Sequence, residues 1–241
     1  MSKAVGIIPA RYHSTRFPGK ALAPILGKPL IQWVFEGARQ ARLLDRIIVA
    51  TDDERISSAV REIGGEAVIT SAGHESGTER ISEAAMSVDA SIIINIQGDE
   101  PLVNGSMLDA LVSVLNDSSI MMATLMARVK DMSLHQESHI VKVVTDKAGY
   151  ALYFSRSPLP CQATDYFFQH IGIYGYQKDF LLNFHHLPQS RLAKIEQLEQ
   201  LRVLENGIKI KTIEISPRTL SVDTPQDIIK VENFLKARAH E

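Results

Sequence analysis

The sequence predicts an α/β fold in which a largely parallel sheet is flanked by helices. Short apolar runs recur through the first half of the chain, and most of them lead into a segment with helical periodicity. The runs lie at residues 5–8, 46–51, 66–70 and 91–96. Strand and helix alternate about every twenty residues, which is typical of a parallel sheet covered by helices.

The helices are predicted from spacing and from end signals. Ile31, Val34, Phe35 and Ala38 follow one another at spacings of three and four, as on one face of a helix. A second helix follows Asp52 and Asp53, which suit its N-terminal cap, and stops at Gly64 and Gly65. We expect further helices from Ser76, from about Arg191 to Gly207, and after Pro225.

The second half of the chain is less regular and predicts an antiparallel portion, roughly between residues 155 and 184. Strands are expected at residues 121–127, 140–145, 150–155, 170–176 and 208–215. We interpret Met121, Met122 and Met126 as core filling. No Gly/Ser-rich linker or repeat divides the chain, so one domain over residues 1–241 is predicted.

Composition excludes several classes of function. The formal net charge of -2 gives no basis for bulk attraction to nucleic acid or a membrane surface. No apolar run reaches the ~18 residues that a transmembrane helix needs. The one cysteine, Cys161, fits a reducing compartment and is interpreted as an inert side chain rather than a nucleophile. We therefore expect a cytoplasmic protein that neither enters a membrane nor binds nucleic acid.

The loop after the first strand predicts a phosphate site. The strand is expected to break at Pro9 into a loop that carries Arg11, Arg16 and Lys20, and no acidic residue occurs before Glu36. Ligands of open α/β sheets bind at the carboxyl ends of strands, where Arg and Lys offset phosphate charge. A solvent-exposed basic loop is the alternative. The chain contains neither a G-x-x-x-x-G-K-[ST] nor a G-x-G-x-x-G motif, so a nucleotide site would have to use this loop.

Asp99 comes just after the fourth expected strand, Asp223 lies between an expected strand and the last helix, and the two could together hold one Mg²⁺. Each has a plain structural alternative, because Asp223 suits the start of the last helix and Asp99 suits a turn before Pro101. Ser76 likewise opens a helix whose N–H groups, with Arg80, would bind an anion or a base edge, or would only be capped.

Two segments of the second half carry polar side chains on a face expected to be buried. On the helix after Ser190, Glu199 would fall among the apolar positions, with Arg202 on the other side of Ile195. This arrangement predicts either an ion pair or a polar ligand pocket. One strand carries, at alternate positions, His170, Gly172, Tyr174 and Tyr176, which would share one face and could form the wall of a polar pocket.

Taken together, these motifs resemble those of 3-deoxy-D-manno-octulosonate (KDO) cytidylyltransferases. The resemblance covers nearly the whole chain in the order IIPARYHSTRFPGK, ATDD, SGTER, INIQGDEP, VKVV, ALYFSR, HIGIYGY, EQLEQLRVLE and SVDTPQD. It implies a Rossmann-like nucleotide-diphospho-sugar transferase fold: a largely parallel mixed sheet with a smaller antiparallel portion for dimerisation and sugar binding. CTP would bind mainly within residues 1–127, the sugar and dimer portion would be roughly 128–215, and a metal-ligand loop and helix would occupy 216–241.

The resemblance also implies a reaction and a homodimer. The chain would transfer the cytidylyl group of CTP to the anomeric hydroxyl of KDO, giving CMP-KDO and pyrophosphate, to activate KDO for lipopolysaccharide biosynthesis. Mg²⁺ would be held by Asp99 and Asp223, and Lys20 would join them as a catalytic residue. Arg11, Arg16 and Lys20 would hold the triphosphate, and Arg80 and Gln97, with the backbone at Pro9 and Ala10, would contact the nucleoside.

The resemblance assigns the sugar pocket to Arg156, His170, Tyr174, Glu199 and Gln200. Three departures touch this half: Ser138–Ile140 in place of an Asn-Pro-Asn run, the short segment 157–169, and Leu220–Ser221 where glycine is common. An 8-amino form of KDO, or another sugar acid such as sialic acid, is therefore kept as an alternative substrate. A non-catalytic nucleotide-binding module is the alternative of a different class.

Overall fold

The computed structural model describes residues 3–14, 17–216 and 219–238. By backbone contacts the chain divides into two compact units, Met1–Asp109 with Thr219–Glu241, and Ala110–Arg218. These are called unit 1 and unit 2. The prediction of a single domain remains a prediction, because this division does not show which parts fold alone. Among the helices that the structure describes, none has the length and apolarity needed to cross a bilayer.

Unit 1 contains a four-stranded parallel sheet in the order β6, β1, β4, β5. These strands are β1 (Ala4–Ala10), β4 (Arg46–Thr51), β5 (Glu66–Ile69) and β6 (Ile92–Asn95), and a separate short hairpin comprises β2 (Pro24–Ile25) and β3 (Lys28–Pro29). Ile7 pairs with Ile48 on one side and with Asn95 on the other, and Ile7, Ile8 and Ile48 are buried. The apolar runs are continuous because both faces of such a sheet are covered.

The strand does not break at Pro9, as the sequence analysis expected, but continues to Ala10. Pro9 pairs in register with Ala50 of β4. The register of β1 with β6 ends at Ile7, so the last residues of β1 pair only with β4. A strand position with a free side tolerates the missing N–H of proline.

The helices of unit 1 begin where the sequence signals indicate. They are α1 (Leu30–Ala38), α2 (Glu54–Glu62), α3 (Gly77–Met86) and the last helix α8 (Pro225–Arg238), while α4 (Gly105–Leu115) contains the boundary between the units. Asp53 caps α2 by accepting from the Arg55 N–H, and Ser76 caps α3 by accepting from the Glu79 N–H. Both caps were predicted from the residue type ahead of each apolar pattern.

Unit 2 is built on strands that are mostly antiparallel. They are β7 (Met122–Val129), β8 (Lys142–Thr145), β9 (Ala151–Ser155), β10 (Phe167–Gln177) and β11 (Ile210–Ile215). Strand β10 pairs antiparallel with β7 and β8, β8 pairs antiparallel with β9, and β11 runs parallel to β7. Met122 and Met126 are buried as expected, whereas Met121 is 47% exposed.

The predicted helix from Arg191 to Gly207 is wrong in its continuity. The segment forms two short helices, α6 (Arg191–Glu196) and α7 (Leu201–Glu205), preceded in unit 2 by α5 (Lys178–Leu182). Gln197 adopts a left-handed conformation with φ 55° and ends α6. A helical period counted across Gln197 therefore assigns the later residues to the wrong faces.

At Gly37 in α1, we expect an alanine substitution to destabilise the protein although alanine favours helices. A methyl group added there would lie 2.2 Å from the carbonyl oxygen of Val103. Gly→Ala normally stabilises an unstrained helix by up to about 1 kcal/mol, but Gly37→Ala should lower the free energy of unfolding by about 1–3 kcal/mol through overpacking. Urea denaturation measures this difference. Gly73→Ala, where the nearest atom is the Ser71 hydroxyl at 3.4 Å, is the control, and equal effects of the two would contradict the steric argument.

Candidate active site

A pocket of about 250 Å³ lies in unit 1, where strands β1 and β6 end. Pro9 and Ala10 reach it from the last residues of β1, and Gln97, Gly98 and Asp99 reach it from the segment after β6. The remaining lining residues are Arg11, Ser14, Lys20, Ala21, His74, Glu75, Ser76, Gly77, Arg80 and Asp223. The position agrees with the rule that ligands bind beyond the carboxyl ends of strands in α/β sheets.

The structure brings eight of the nine residues predicted for CTP and metal binding to this pocket. Arg16 lies outside the described residues, so its predicted phosphate contact stays a prediction. Gly98 allows the close approach of the two strand ends, because a side chain there would place its Cβ 2.8 Å from the Pro9 carbonyl oxygen. The side-chain amide of Gln97 donates to Asn95 Oδ1 at 3.2 Å, and this bond fixes the orientation of the Gln97 side chain.

Lys20 lies between the two carboxylates predicted to bind the metal. Its Nζ is 2.7 Å from Asp99 Oδ2 and 3.8 Å from Asp223 Oδ1. The same Nζ donates to the Val222 carbonyl oxygen at 2.9 Å, and the Val222 N–H donates to the Asp99 carbonyl oxygen at 2.9 Å. These bonds hold Asp223 beside Asp99, although the two are far apart in sequence.

Glu100 follows Asp99 and is buried with only 7% exposure. Burial raises the pKa of its carboxyl group to about 8, and the neighbouring charge of Asp99 adds to the rise. At neutral pH this side chain is mostly protonated. The negative charge that faces Lys20 therefore belongs to Asp99 and Asp223.

The positions of the Asp99 and Asp223 carboxylates indicate whether these residues suit Mg²⁺. Both reach toward one cationic group, the Lys20 ammonium, so the arrangement already gathers carboxylate oxygens about a positive charge. Within the described residues, no group of three or more His, Cys, Asp or Glu side chains is arranged to hold a metal ion. Mg²⁺ commonly takes one or two carboxylates and completes its shell with phosphate and water oxygens, so a pair is a suitable set.

Arg80 is buried, and its guanidinium group is fixed by two partners. It donates to Asp52 Oδ2 at 2.7 Å and to Thr70 Oγ1 at 2.6 Å. Asp52 follows β4 and Thr70 follows β5, so the ends of two further strands orient this side chain in the pocket. Asp52 was predicted only as a signal for the start of a helix. A carboxylate directly after a buried strand was the cue to its position at this edge.

Asp227 was also missed, although Thr224 and Asp227 have the spacing of a capping box at the start of α8. Its Oδ2 accepts from the Asp223 N–H at 3.2 Å, the Thr224 N–H at 2.9 Å and the Thr224 hydroxyl at 2.8 Å. Burial alone would raise the pKa of Asp227, but hydrogen bonds from Lys230, Thr224 and the backbone outweigh it and lower the pKa to about 2. Its charged form thus fixes the segment that carries Asp223.

The residues predicted for the sugar lie in unit 2, and three of them lie together. The rings of His170 and Tyr174 are 5.4 Å apart between centroids, and burial together with the charge of Glu199 raises the pKa of Tyr174. Glu199 is exposed, so its predicted place on a buried helical stripe is wrong. Gln200 is buried, and its Nε2 has no hydrogen-bond partner among the described residues.

Arg202 does not serve mainly as a partner for a carboxylate, as an ion pair with Glu199 would require. Its guanidinium group donates to the backbone carbonyls of His185, Leu187 and Pro188. These bonds attach α7 to the segment before Ser190. The role of Arg202 in the structure is therefore to hold this connection in place.

Arg156 follows β9 and is held by the end of α6. Its guanidinium group donates to the carbonyl oxygens of Glu196 at 3.1 Å and Ser138 at 3.2 Å. The Glu196 carboxylate accepts from the Arg156 N–H and the Ser155 hydroxyl. Lys142, fully buried, donates to the Arg156 carbonyl and to two others, each at 2.8 Å. The backbone at Arg156 is thus fixed from two sides.

Comparisons with known proteins place the chain in a family. Residues 5–210 match the family described as Cytidylyltransferase. The chain is 49% identical to the 3-deoxy-manno-octulosonate cytidylyltransferases of Trichlorobacter lovleyi and Geobacter metallireducens, over 96% and 95% of its own length and 98% and 96% of theirs. The chain belongs to the 3-deoxy-manno-octulosonate cytidylyltransferase family.

Solved structures agree with this membership. A CMP:2-keto-3-deoxy-manno-octonic acid synthetase in complex with CTP superposes with a TM-score of 0.93 at 42% identity, covering 98% of this chain and 100% of that one. A 4-diphosphocytidyl-2C-methyl-D-erythritol synthase from Anaerococcus prevotii has a TM-score of 0.68 at 13% identity, covering 98% and 99% of the two chains. The second likeness is one of fold alone. The predicted cytidylyltransferase fold is confirmed.

Asp227→Ala tests whether this carboxylate positions Asp223. Removing the acceptor should cost about 1 kcal/mol of stability, as for other helix caps, and should lower turnover about tenfold, as loss of a supporting hydrogen-bond partner does. Urea denaturation and steady-state turnover measure the two effects. Lys230→Met removes only the exposed partner of Asp227 and should change neither by much. Turnover that is unaffected in Asp227→Ala would contradict the positioning role.

Proposed function

We propose that the chain transfers the cytidylyl group of CTP to the anomeric hydroxyl of KDO and releases pyrophosphate. One observation carries the proposal. The pocket of unit 1 combines Lys20 with two carboxylates, Asp99 after β6 and Asp223 before α8, in a chain about half identical over nearly full length to enzymes named for this reaction. The product, CMP-KDO, would serve lipopolysaccharide biosynthesis, as in the family.

The nucleotide would bind in the pocket of unit 1. Arg11 and Lys20 supply positive charge for the phosphates, and Arg16 is proposed to join them. Arg80 offers only hydrogen-bond donors, and two of its donors are used by Asp52 and Thr70. A donor fixed in this way suits the acceptor edge of cytosine, O2 and N3, and opposes uracil, in which N3 carries hydrogen.

Asp99 and Asp223 are proposed to hold Mg²⁺ in the reacting complex. Bound there, the ion would polarise the phosphate and lower the pKa of the attacking hydroxyl. Lys20 would then keep the site's charge balanced, because its ammonium group lies beside both carboxylates and faces the phosphates. The Val222 carbonyl accepts from Lys20 Nζ, and the Val222 N–H donates to the Asp99 carbonyl, so both bonds support the placement of the two carboxylates beside Lys20.

The sugar acid is proposed to bind to Arg156, His170, Tyr174, Glu199 and Gln200 of unit 2. Gln200 contributes a buried amide donor that lacks a partner within the described residues, and such a group favours a ligand acceptor. The reaction is an in-line displacement: the hydroxyl gives up its proton to water, its oxygen forms a bond to the α-phosphorus, and the bond from that phosphorus to pyrophosphate breaks. Positioning and charge stabilisation supply most of the rate in such transfers.

We also propose that the protein is a cytoplasmic homodimer. The segment after Arg156 would contribute to the subunit contact, as the family resemblance implies. Leu152 of β9, 61% exposed, supplies apolar surface in the same unit. Apolar side chains left on a surface are typical of interfaces when they form part of a larger patch.

Pyrophosphate release tests the reaction and the sugar together. The protein is supplied with CTP, Mg²⁺ and one of three sugar acids: KDO, 8-amino-KDO or sialic acid. We expect release with KDO, and far less with UTP in place of CTP because of Arg80. Release with only 8-amino-KDO or sialic acid would support the proposed nucleotide site but would show that the substrate is a sugar acid other than KDO. If no pyrophosphate were released with any of the three sugar acids, a non-catalytic nucleotide-binding module would be favoured.

Asp223→Asn tests the metal role. Loss of one ligand charge should lower turnover by about two orders of magnitude, since the metal supplies several kcal/mol of transition-state stabilisation. Affinity for CTP, measured by calorimetry without metal, should stay within about threefold, because Arg11, Lys20 and Arg80 are unchanged. Glu62→Gln, an exposed residue at the end of α2, controls for net charge. Normal turnover in Asp223→Asn, or activity that survives a chelator, would contradict the metal role.

A further inference from the structure

The hydroxyl group of Thr124, on β7, lies among three polar atoms of β10. Its Oγ1 is 3.0 Å from His170 Nε2, 3.2 Å from the Ile171 carbonyl oxygen and 2.9 Å from the Ile173 carbonyl oxygen. Thr124 is fully buried. These protein atoms therefore decide where the hydroxyl proton points.

The three contacts can be satisfied together in only one way. A threonine hydroxyl has one hydrogen to donate and two lone pairs, whereas a carbonyl oxygen can only accept. If the hydrogen pointed to His170, Oγ1 would face two carbonyl oxygens with no hydrogen between them. The hydrogen is therefore directed to the carbonyls, and His170 Nε2 must be the donor.

An irregularity in β10 supplies the two carbonyls. Ile171 pairs with Leu125 of β7, and the next residue paired with β7 is Tyr174, opposite Thr124. Gly172 and Ile173 have no register partner on β7. The extra length brings both the Ile171 and the Ile173 carbonyl oxygens to one hydroxyl group.

We propose that Thr124 is a positioning residue that holds His170 in the neutral tautomer with hydrogen on Nε2, leaving Nδ1 to accept a hydrogen bond from a hydroxyl group of the sugar acid. The functional part rests on the proposed function, which places the sugar at His170. Burial lowers the pKa of His170 to about 3, so the ring remains neutral near pH 7. A neutral acceptor nitrogen does not pair with a carboxylate, so His170 distinguishes sugars by a hydroxyl group and not by the acid group.

Nitrogen NMR of the full chain, labelled with ¹⁵N-histidine, tests the tautomer directly. His170→Gln assigns the signal among the eight histidines. We expect hydrogen on Nε2 in the parent protein and a shifted or mixed tautomer in Thr124→Val. Thr212→Val is the matched control, because Thr212 lies opposite Thr124 on β11, is 5% exposed and donates to the Gly149 carbonyl at 2.9 Å. Its His170 signal should equal that of the parent.

Steady-state kinetics tests the consequence for the sugar. Thr124→Val should raise the KM for KDO about tenfold, as loss of such an orienting partner does, while kcat and the KM for CTP change less than about twofold. Thr124→Ser keeps the hydroxyl and should restore the KM. Thr212→Val, which loses a comparable buried bond, should leave the KM unchanged even if stability falls.

Three results would overturn the proposal. A parent protein with hydrogen on Nδ1 would refute the tautomer. An equal rise of KM in the Thr124→Val and Thr212→Val variants would show a general structural effect. An unchanged KM in His170→Gln would remove His170 from the sugar site, and pyrophosphate release by that variant would show that the proposed reaction still stands.

Discussion

The contacts between the ammonium group of Lys20 and its oxygen partners are the interaction on which the pocket of unit 1 depends. Three segments from distant parts of the sequence meet there: the one after β1, the one after β6 and the one before α8. Without the cation, two carboxylates would lie near each other in the pocket, beside a third carboxyl group that burial holds mostly protonated. Lys20 thus balances negative charge that the chain itself brings together in this pocket.

The sheet of unit 1 and the location of its pocket could be predicted from local sequence because both depend on short-range signals. Buried parallel strands are continuous apolar runs, and their carboxyl ends must lie at one edge. The placement of Glu199 failed for an equally local reason. The interpretation assumed one helix, while Gln197 takes a left-handed conformation that only its three-dimensional surroundings select, since nothing in a glutamine favours it.

The residues that hold the candidate site residues in place could not be predicted from the sequence. Asp52 was interpreted only as a helix signal, Asp227 was given no role, and Thr124 was only one position of an expected strand. Each of them supports the candidate site through a hydrogen bond to one particular residue, and tertiary packing determines which residue that is. Residue type and spacing thus indicate which side chains could do chemistry, while the structure shows what orients them.

The extra residues in β10 number two, Gly172 and Ile173, and that count has a consequence for how the strand can vary. Side chains of a strand alternate between faces, so an insertion of two leaves every later residue on its original side, whereas an insertion of one would reverse them all. His170, Tyr174 and Tyr176 consequently still lie opposite Met126, Thr124 and Met122 on one face. We expect related chains to lengthen or shorten this strand in even steps wherever that aromatic face is retained.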